Sequence, residues 1–201
     1  MPNRENKEPS RNRPILFICL GLGLVLAACV LLPAYGVWRS AFVYIQPDQR
    51  GVVISALEPQ GYRPDPLEPG PHWITPFVES VRLYSIAPQT YVMSAQSIPD
   101  DSINSVTRDG QEAFLSVSVR YTLDPDKLLD LHINWQDYYQ DRLVRPLVRR
   151  TTRDTVRIYN TVELTSKRSE LEQAISVKLS QEFATNDLIL LDFAIEDIRI
   201  P

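Results

Sequence analysis

Cysteine and histidine are scarce in this chain, two of each in 201 residues, and their placement closes off several kinds of chemistry. Cys19 and Cys29 both lie in the most apolar stretch of the sequence, which suits neither a disulfide framework nor a zinc site. His72 and His132 have no second ligand at helical or loop spacing, such as a histidine four residues away. No G-x-S-x-G elbow offers a hydrolase nucleophile. The G-x-G at Gly21 and Gly23 falls inside the apolar stretch, so no glycine loop is placed to cradle a phosphate. No catalytic, cofactor or metal residue is assigned, and the expectation is a protein that is not an enzyme and takes no cofactor.

A long apolar run is present. Ile15 to Trp38 carries no charge, and as a helix it would reach roughly 36 Å, enough to cross a bilayer core of about 30 Å with some tilt. Residues 1–14 form a polar tail in which Arg4, Lys7, Arg11 and Arg13 outnumber Glu5 and Glu8, favouring an N-terminus in the cytoplasm and the rest of the chain on the outer side. Tyr35, Trp38 and Tyr44 suit the far interface, and Pro33 falls about one turn from that end. A cleaved signal peptide has a shorter apolar region. "LAAC", Leu26 to Cys29, resembles the lipobox of bacterial lipoproteins, but the apolar residues directly after Cys29 favour an uncleaved anchor. A single-pass protein of a bacterial cell membrane is expected.

Strand patterns follow the anchor. Phe42–Gln46 and Gly51–Leu57 read as a hairpin turning at Pro47-Asp48, and "GYRPDPLEPG" as a surface loop. "VESVRLYSI" and "QTYVMSA" read as a strand pair. The clearest hairpin turns at Asp109-Gly110. Beyond it Leu115, Val117, Val119, Tyr121 and Leu123 alternate with polar residues, which puts one face on a core. The second half reads as helical. Asp124-Pro125 is a start signal for "DKLLDLH", "WQDYYQDRLV" is a further helical piece, and Pro146 breaks it or begins a longer helix to about Tyr159. In the last helix, roughly Ser166 to Ala184, Leu171, Ile175, Leu179 and Phe183 form one apolar stripe. The closing strand changes parity between Ile195 and Ile198, which predicts a bulge near Glu196.

The order of "QRGVV", "LEPGPHWITPFVESVRLY", "TRDGQEAFLSVSVRYTLDPDKLLDLH" and "RSELEQAISVKLSQEFATNDLILLDFAIEDIRI" behind a membrane segment resembles the SPFH (band 7) domain of prohibitins, stomatins and flotillins, over about residues 42 to 201. The resemblance implies an α/β-type SPFH domain, α+β in layout. An antiparallel β-rich first subdomain (39–123) follows the transmembrane helix (15–38), and a helix-rich second subdomain (124–201) closes with a β-strand. It also implies a scaffold that assembles into homo-oligomeric rings or cages and organises membrane lipids or membrane proteins, such as a membrane-bound protease. In relatives a long helical or coiled-coil region follows and drives ring closure. This sequence ends at Pro201, so it is either a fragment or assembles by other means. The alternative is a lipid- or helix-anchored binding subunit of a larger membrane complex.

Two groups are the candidate contact residues. Arg145, Arg149, Arg153 and Arg157 recur every four residues and build a basic stripe. It can meet acidic faces of neighbouring subunits around Glu170, Glu172 and Glu182, or anionic lipid, or simply be a solvated face with partners such as Asp141 and Asp154. The residues after the anchor carry 17 basic and 23 acidic side chains, a net charge of −6, which argues against nucleic acid as a partner. The second group is Trp73, Ile74 and Phe77 in the corner "LEPGPHWITPF". Such residues are more often core than surface, yet a corner this near the anchor could dip into the headgroup region.

Overall fold

The structure, a computed structural model, describes residue 29, residues 31 and 32, and residues 35–201. Residues 35–40 are helical and exposed. The expected membrane segment otherwise lies mostly outside the described residues, and the 1–14 tail entirely so. Among the described residues no helix is long and apolar enough to cross a membrane.

Eight strands and four α-helices follow. β1 (Phe42–Ile45), β2 (Gln49–Ser55), β3 (Gly70–Trp73), β4 (Glu79–Ser85), β5 (Gln89–Met93), β6 (Ile103–Val106) and β7 (Glu112–Leu123) come first. Then come α1 (Leu128–Trp135), α2 (Arg145–Val156), α3 (Thr161–Ser166), α4 (Arg168–Thr185) and the closing strand β8 (Leu188–Arg199). The layout is α+β, β-rich first and helical second, and every strand pair is antiparallel.

β1 and β2 do not form the expected hairpin. A tight turn does join them, with Gln49 N–H donating to the Gln46 carbonyl at 3.0 Å. The two strands then take different partners, β1 pairing with β3 and β2 with β4. The expected β4–β5 pair is also absent, because β5 lies on β7 instead. Gly51 shows what the interleaving demands. A Cβ there would stand 2.8 Å from Val81 Cγ1 and 2.9 Å from Ile45 Cδ1, where β1 and β4 press on β2. Gly51→Ala is therefore an overpacking change, expected to cost about 1–3 kcal/mol and to be read as lost hydrogen-exchange protection in β2 and β4. The "GYRPDPLEPG" loop is held along β2, where Gly51 and Leu67 exchange two backbone hydrogen bonds.

The β6–β7 hairpin forms as the alternation predicts. Gly110 at φ +82 takes a conformation that side chains resist, and the turn is closed between Thr107 and Gln111. Leu115, Val117, Val119, Tyr121 and Leu123 are all fully buried. β8 runs along β7 with two irregularities. Ser116 and Val117 face Asp197 and Ile195, so Glu196 is the extra residue of a bulge, at the position where the parity changes. A second slip leaves Leu191 unopposed and turned outward, and it restores Leu188 to the core. α4 lays Leu171, Ile175, Leu179 and Phe183 on this sheet, Phe183 meeting Tyr121 edge-on at 6.0 Å between centroids. The closing strand thus returns to the sheet of the first half, and one buried core runs through sheet and helices.

Asp124 does not cap a helix directly. Its carboxylate accepts the Asp126 N–H at 3.1 Å, a local turn that postpones α1 to Leu128. The piece after α1 is a short 3-10 turn followed by a π turn (Gln140–Val144), and Pro146 then sits in the first turn of α2, where its missing N–H costs nothing. α2 stops at Val156. α3, unforeseen, opens on a capping box between Asn160 and Glu163.

Candidate membrane and assembly surfaces

The antiparallel register sets Phe42 opposite Trp73 on the β1–β3 ribbon. Strand alternation puts Tyr44 on the same face as Phe42, while Ile45 turns inward and is fully buried. The Trp73 ring meets Phe42 edge-on at 6.2 Å and Trp38 edge-on at 6.4 Å, and Trp38 lies 6.3 Å from Tyr35. These rings pack on one another and still face solvent, each at least half exposed. An aromatic ladder thus runs from the last helical residues of the expected anchor onto the ribbon. A contiguous exposed patch of this kind marks an interaction surface, and rings with one polar edge suit a membrane interface.

The corner that carries the patch is braced from within. His72, which the sequence left without a ligand partner, donates from Nε2 to the Glu68 carbonyl at 2.7 Å and ties down its own loop. Ile74 is half buried and its N–H extends the ribbon to the Ala41 carbonyl at 2.9 Å. The chain then turns through Thr75–Val78 with Pro76 and Phe77 at the centre. Phe77 has φ +66 and is 92% exposed. That is the position of a type II turn that favours glycine, so the backbone is strained by about 1–2 kcal/mol to hold a large ring out in the open.

Glu79 anchors this turn. Its side chain is 3% exposed and accepts the Thr75 N–H at 2.7 Å, the Ser55 hydroxyl at 3.2 Å and a fork from Arg63 Nη2 at 2.7 and 2.8 Å. Burial alone would push its carboxyl up. The Thr75 amide, the Arg63 guanidinium and the Ser55 hydroxyl outweigh it and hold the carboxyl below the usual range. Of the two settings the sequence left open for this corner, the protein's own core does not take Trp73 or Phe77, which are both exposed.

The arginine stripe is divided. Arg145 and Arg149 both grip the Asp101 carboxylate, which is 15% exposed, and Arg149 also donates to the Asp101 carbonyl at 2.9 Å. Arg153 Nε donates to the Asn104 carbonyl at 2.8 Å. Three of the four thus fasten α2 to β6 and the segment leading into it. Arg157 points outward with Arg150, and both share one carboxylate, Asp154, at 3.8 Å each. Helical spacing exposed the stripe, but Asp101, nearly fifty residues away, gave no sign in the sequence. Of the acidic residues on α4, Glu172 is occupied by Arg168 and by the Ile195 N–H at 3.0 Å.

Residues 43–201 match the SPFH domain / Band 7 family, and the chain belongs to that family. It is also similar to Mitochondrial prohibitin complex protein 1 of Caenorhabditis elegans, 22% identical over 182 residues, which cover 90% of this chain and 59% of the relative. The chain therefore spans about three-fifths of that relative's length. Proteins of this family are membrane-associated and in general scaffolds without catalysis.

Proposed function

We propose that this chain is a non-enzymatic membrane scaffold that self-associates and organises a membrane patch or partner membrane proteins, a membrane protease among the candidates. The observation that carries the reading is the aromatic ladder Tyr35–Trp38–Trp73–Phe42, exposed on a domain of this family. Trp73 and Phe77 sit in the headgroup region beside the anchor, with half-buried Ile74 fastening the corner. The single-pass anchor at 15–38, its cytoplasmic N-terminus and a bacterial cell membrane rest on the sequence, on the uncharged run and its basic flank. We keep the two subdomains read from the sequence, 39–123 and 124–201, with β8 of the second returning to the sheet of the first. The similarity to a protein named for a prohibitin complex supports assembly into a complex, which we read as a homo-oligomeric ring or cage. Many copies, each tethered once, gain avidity from repeated weak contacts.

Of the stripe, Arg157 is the member we assign to contact with a neighbouring subunit or anionic lipid, together with Arg150. Arg145, Arg149 and Arg153 support that face from below. Reversing Arg149 would set a glutamate against Asp101 and damage the fold itself. The double change Arg150→Glu with Arg157→Glu is expected to leave the fold intact and to shrink the complex several-fold in mild detergent. An unchanged size would place the assembly surface elsewhere. The native complex itself separates scaffold from subunit: a large homo-oligomer supports the proposal, and co-purification with other chains at fixed stoichiometry supports the alternative.

A further inference from the structure

The seam between the β2–β4 pair and the helical half is narrow and contains a histidine. Val52 and Tyr84 are the two buried residues of that pair that join the continuous core. Tyr84 reaches across to α1, its hydroxyl 2.6 Å from His132 Nδ1 and 3.3 Å from Asp137 Oδ1. Both Tyr84 and His132 are 4% exposed. Tyr62 covers the imidazole edge-on at 5.4 Å between centroids, and Tyr139 lies 6.3 Å from the Tyr84 ring. The charged groups facing this cluster are Arg82 on β4 and Asp137 on the turn after α1. They pair with each other at 3.5 Å and are each about half exposed. On α1 itself Asp130 is the acidic residue of the first turn.

We propose that Tyr84, His132 and Asp137 form a proton-operated latch that loosens the seam between the β2–β4 pair and α1 when the medium turns mildly acidic. In the neutral state the Tyr84 hydroxyl donates to Nδ1. A proton taken from solvent by Nδ1 reverses that bond: the imidazolium donates to the Tyr84 oxygen, and the hydroxyl proton swings to Asp137 Oδ1, already within reach. The hydrogen bonds survive, but a positive charge now stands in a buried seam beside Arg82, with only the half-exposed Asp137 to balance it.

The direction of titration agrees with this geometry. Burial holds the His132 imidazole below its ordinary value; Asp137 opposes that shift and Arg82 adds to it. Burial first and the Asp137 charge second push the Tyr84 hydroxyl up, so it stays protonated throughout. A histidine depressed in the closed form binds protons more readily once released. The seam is therefore fully stable at neutral pH, and its stability is lost as pH falls below about 6.5.

Hydrogen exchange of the full reconstituted chain, corrected for intrinsic rates, reads this latch. Protection in residues 79–85 and 128–137 should fall by up to about tenfold per pH unit below that point, while β7 stays protected. With two histidines in the chain, the controls are direct. His132→Gln keeps an acceptor for Tyr84 and should give a flat profile, and His72→Gln should match the parent. Asp137→Asn, which removes the one charge that favours the imidazolium, should keep the onset near pH 6.5 and deepen the loss, extending it to lower pH. A flat parent profile, or a step that survives in His132→Gln, overturns the proposal. Should His132→Gln already be open at neutral pH, the Asp137→Asn profile decides, and a loss no deeper than the parent's overturns it.

Discussion

Replacing Glu79 with alanine is expected to release the Thr75–Val78 turn from β2 and to cost about 3 kcal/mol or more. One carboxylate satisfies an amide, a hydroxyl and a guanidinium there, and its removal leaves a partly buried Arg63 without its charge partner. Arg63 is one-third exposed and recovers some water, which keeps the loss near the lower end of the range for a broken buried pair. Glutamine should be milder, since its oxygen still accepts the Thr75 N–H. Because the folded carboxyl is held below its unfolded value, this contribution is complete above about pH 4.5 and is lost as pH falls through the lower folded value. Hydrogen-exchange protection of β2 and β4 measures both effects. The acid-dependent part should vanish in Glu79→Gln while the other carboxylates keep theirs.

The second large effect has opposite signs for stability and for membrane contact. Phe77→Gly removes the strain of a positive φ and is expected to stabilise the turn by about 1 kcal/mol. The same change deletes an exposed ring whose full burial in an apolar medium is worth about 1.5–3 kcal/mol, so contact of the corner with lipid should weaken roughly tenfold or more. A residue retained for the fold alone would not lose function on being stabilised. The decisive pattern is longer protection of residues 75–78 together with weaker insertion, and a variant that gains stability and keeps full insertion would mean that the ring serves something other than lipid.

How legible these features were in the sequence depended on whether their causes were local. The β6–β7 hairpin, the buried face of β7, the α4 stripe and the Glu196 bulge all follow from periodicity within one segment, and each formed where that periodicity put it. The pairings of β1 and β2 did not. Three residues separate those strands, yet each finds a partner beyond a proline-rich loop, and only the close approach at Gly51 records the crossing. A glycine in "QRGVV" carries no mark of Val81 and Ile45 standing within 3 Å of its missing side chain. The arginine stripe was visible as helical spacing, but its division between Asp101 and solvent depends on where a distant loop lands. The aromatic corner was visible as composition. Its exposure was not, because an apolar ring reads the same whether it faces a core or a bilayer.

The central claim is that this corner lies in the membrane interface, and the depth of Trp73 tests it most directly. The chain has three tryptophans, so replacing Trp38 and Trp135 with phenylalanine leaves Trp73 as the only indole emitter. Reconstituted in vesicles with acyl chains brominated at graded depths, the full chain should show strong quenching of Trp73 by bromines near the headgroups, weaker quenching by deeper ones, and shielding from aqueous iodide. Efficient quenching by iodide with none from brominated lipid would put the corner in water and contradict the account.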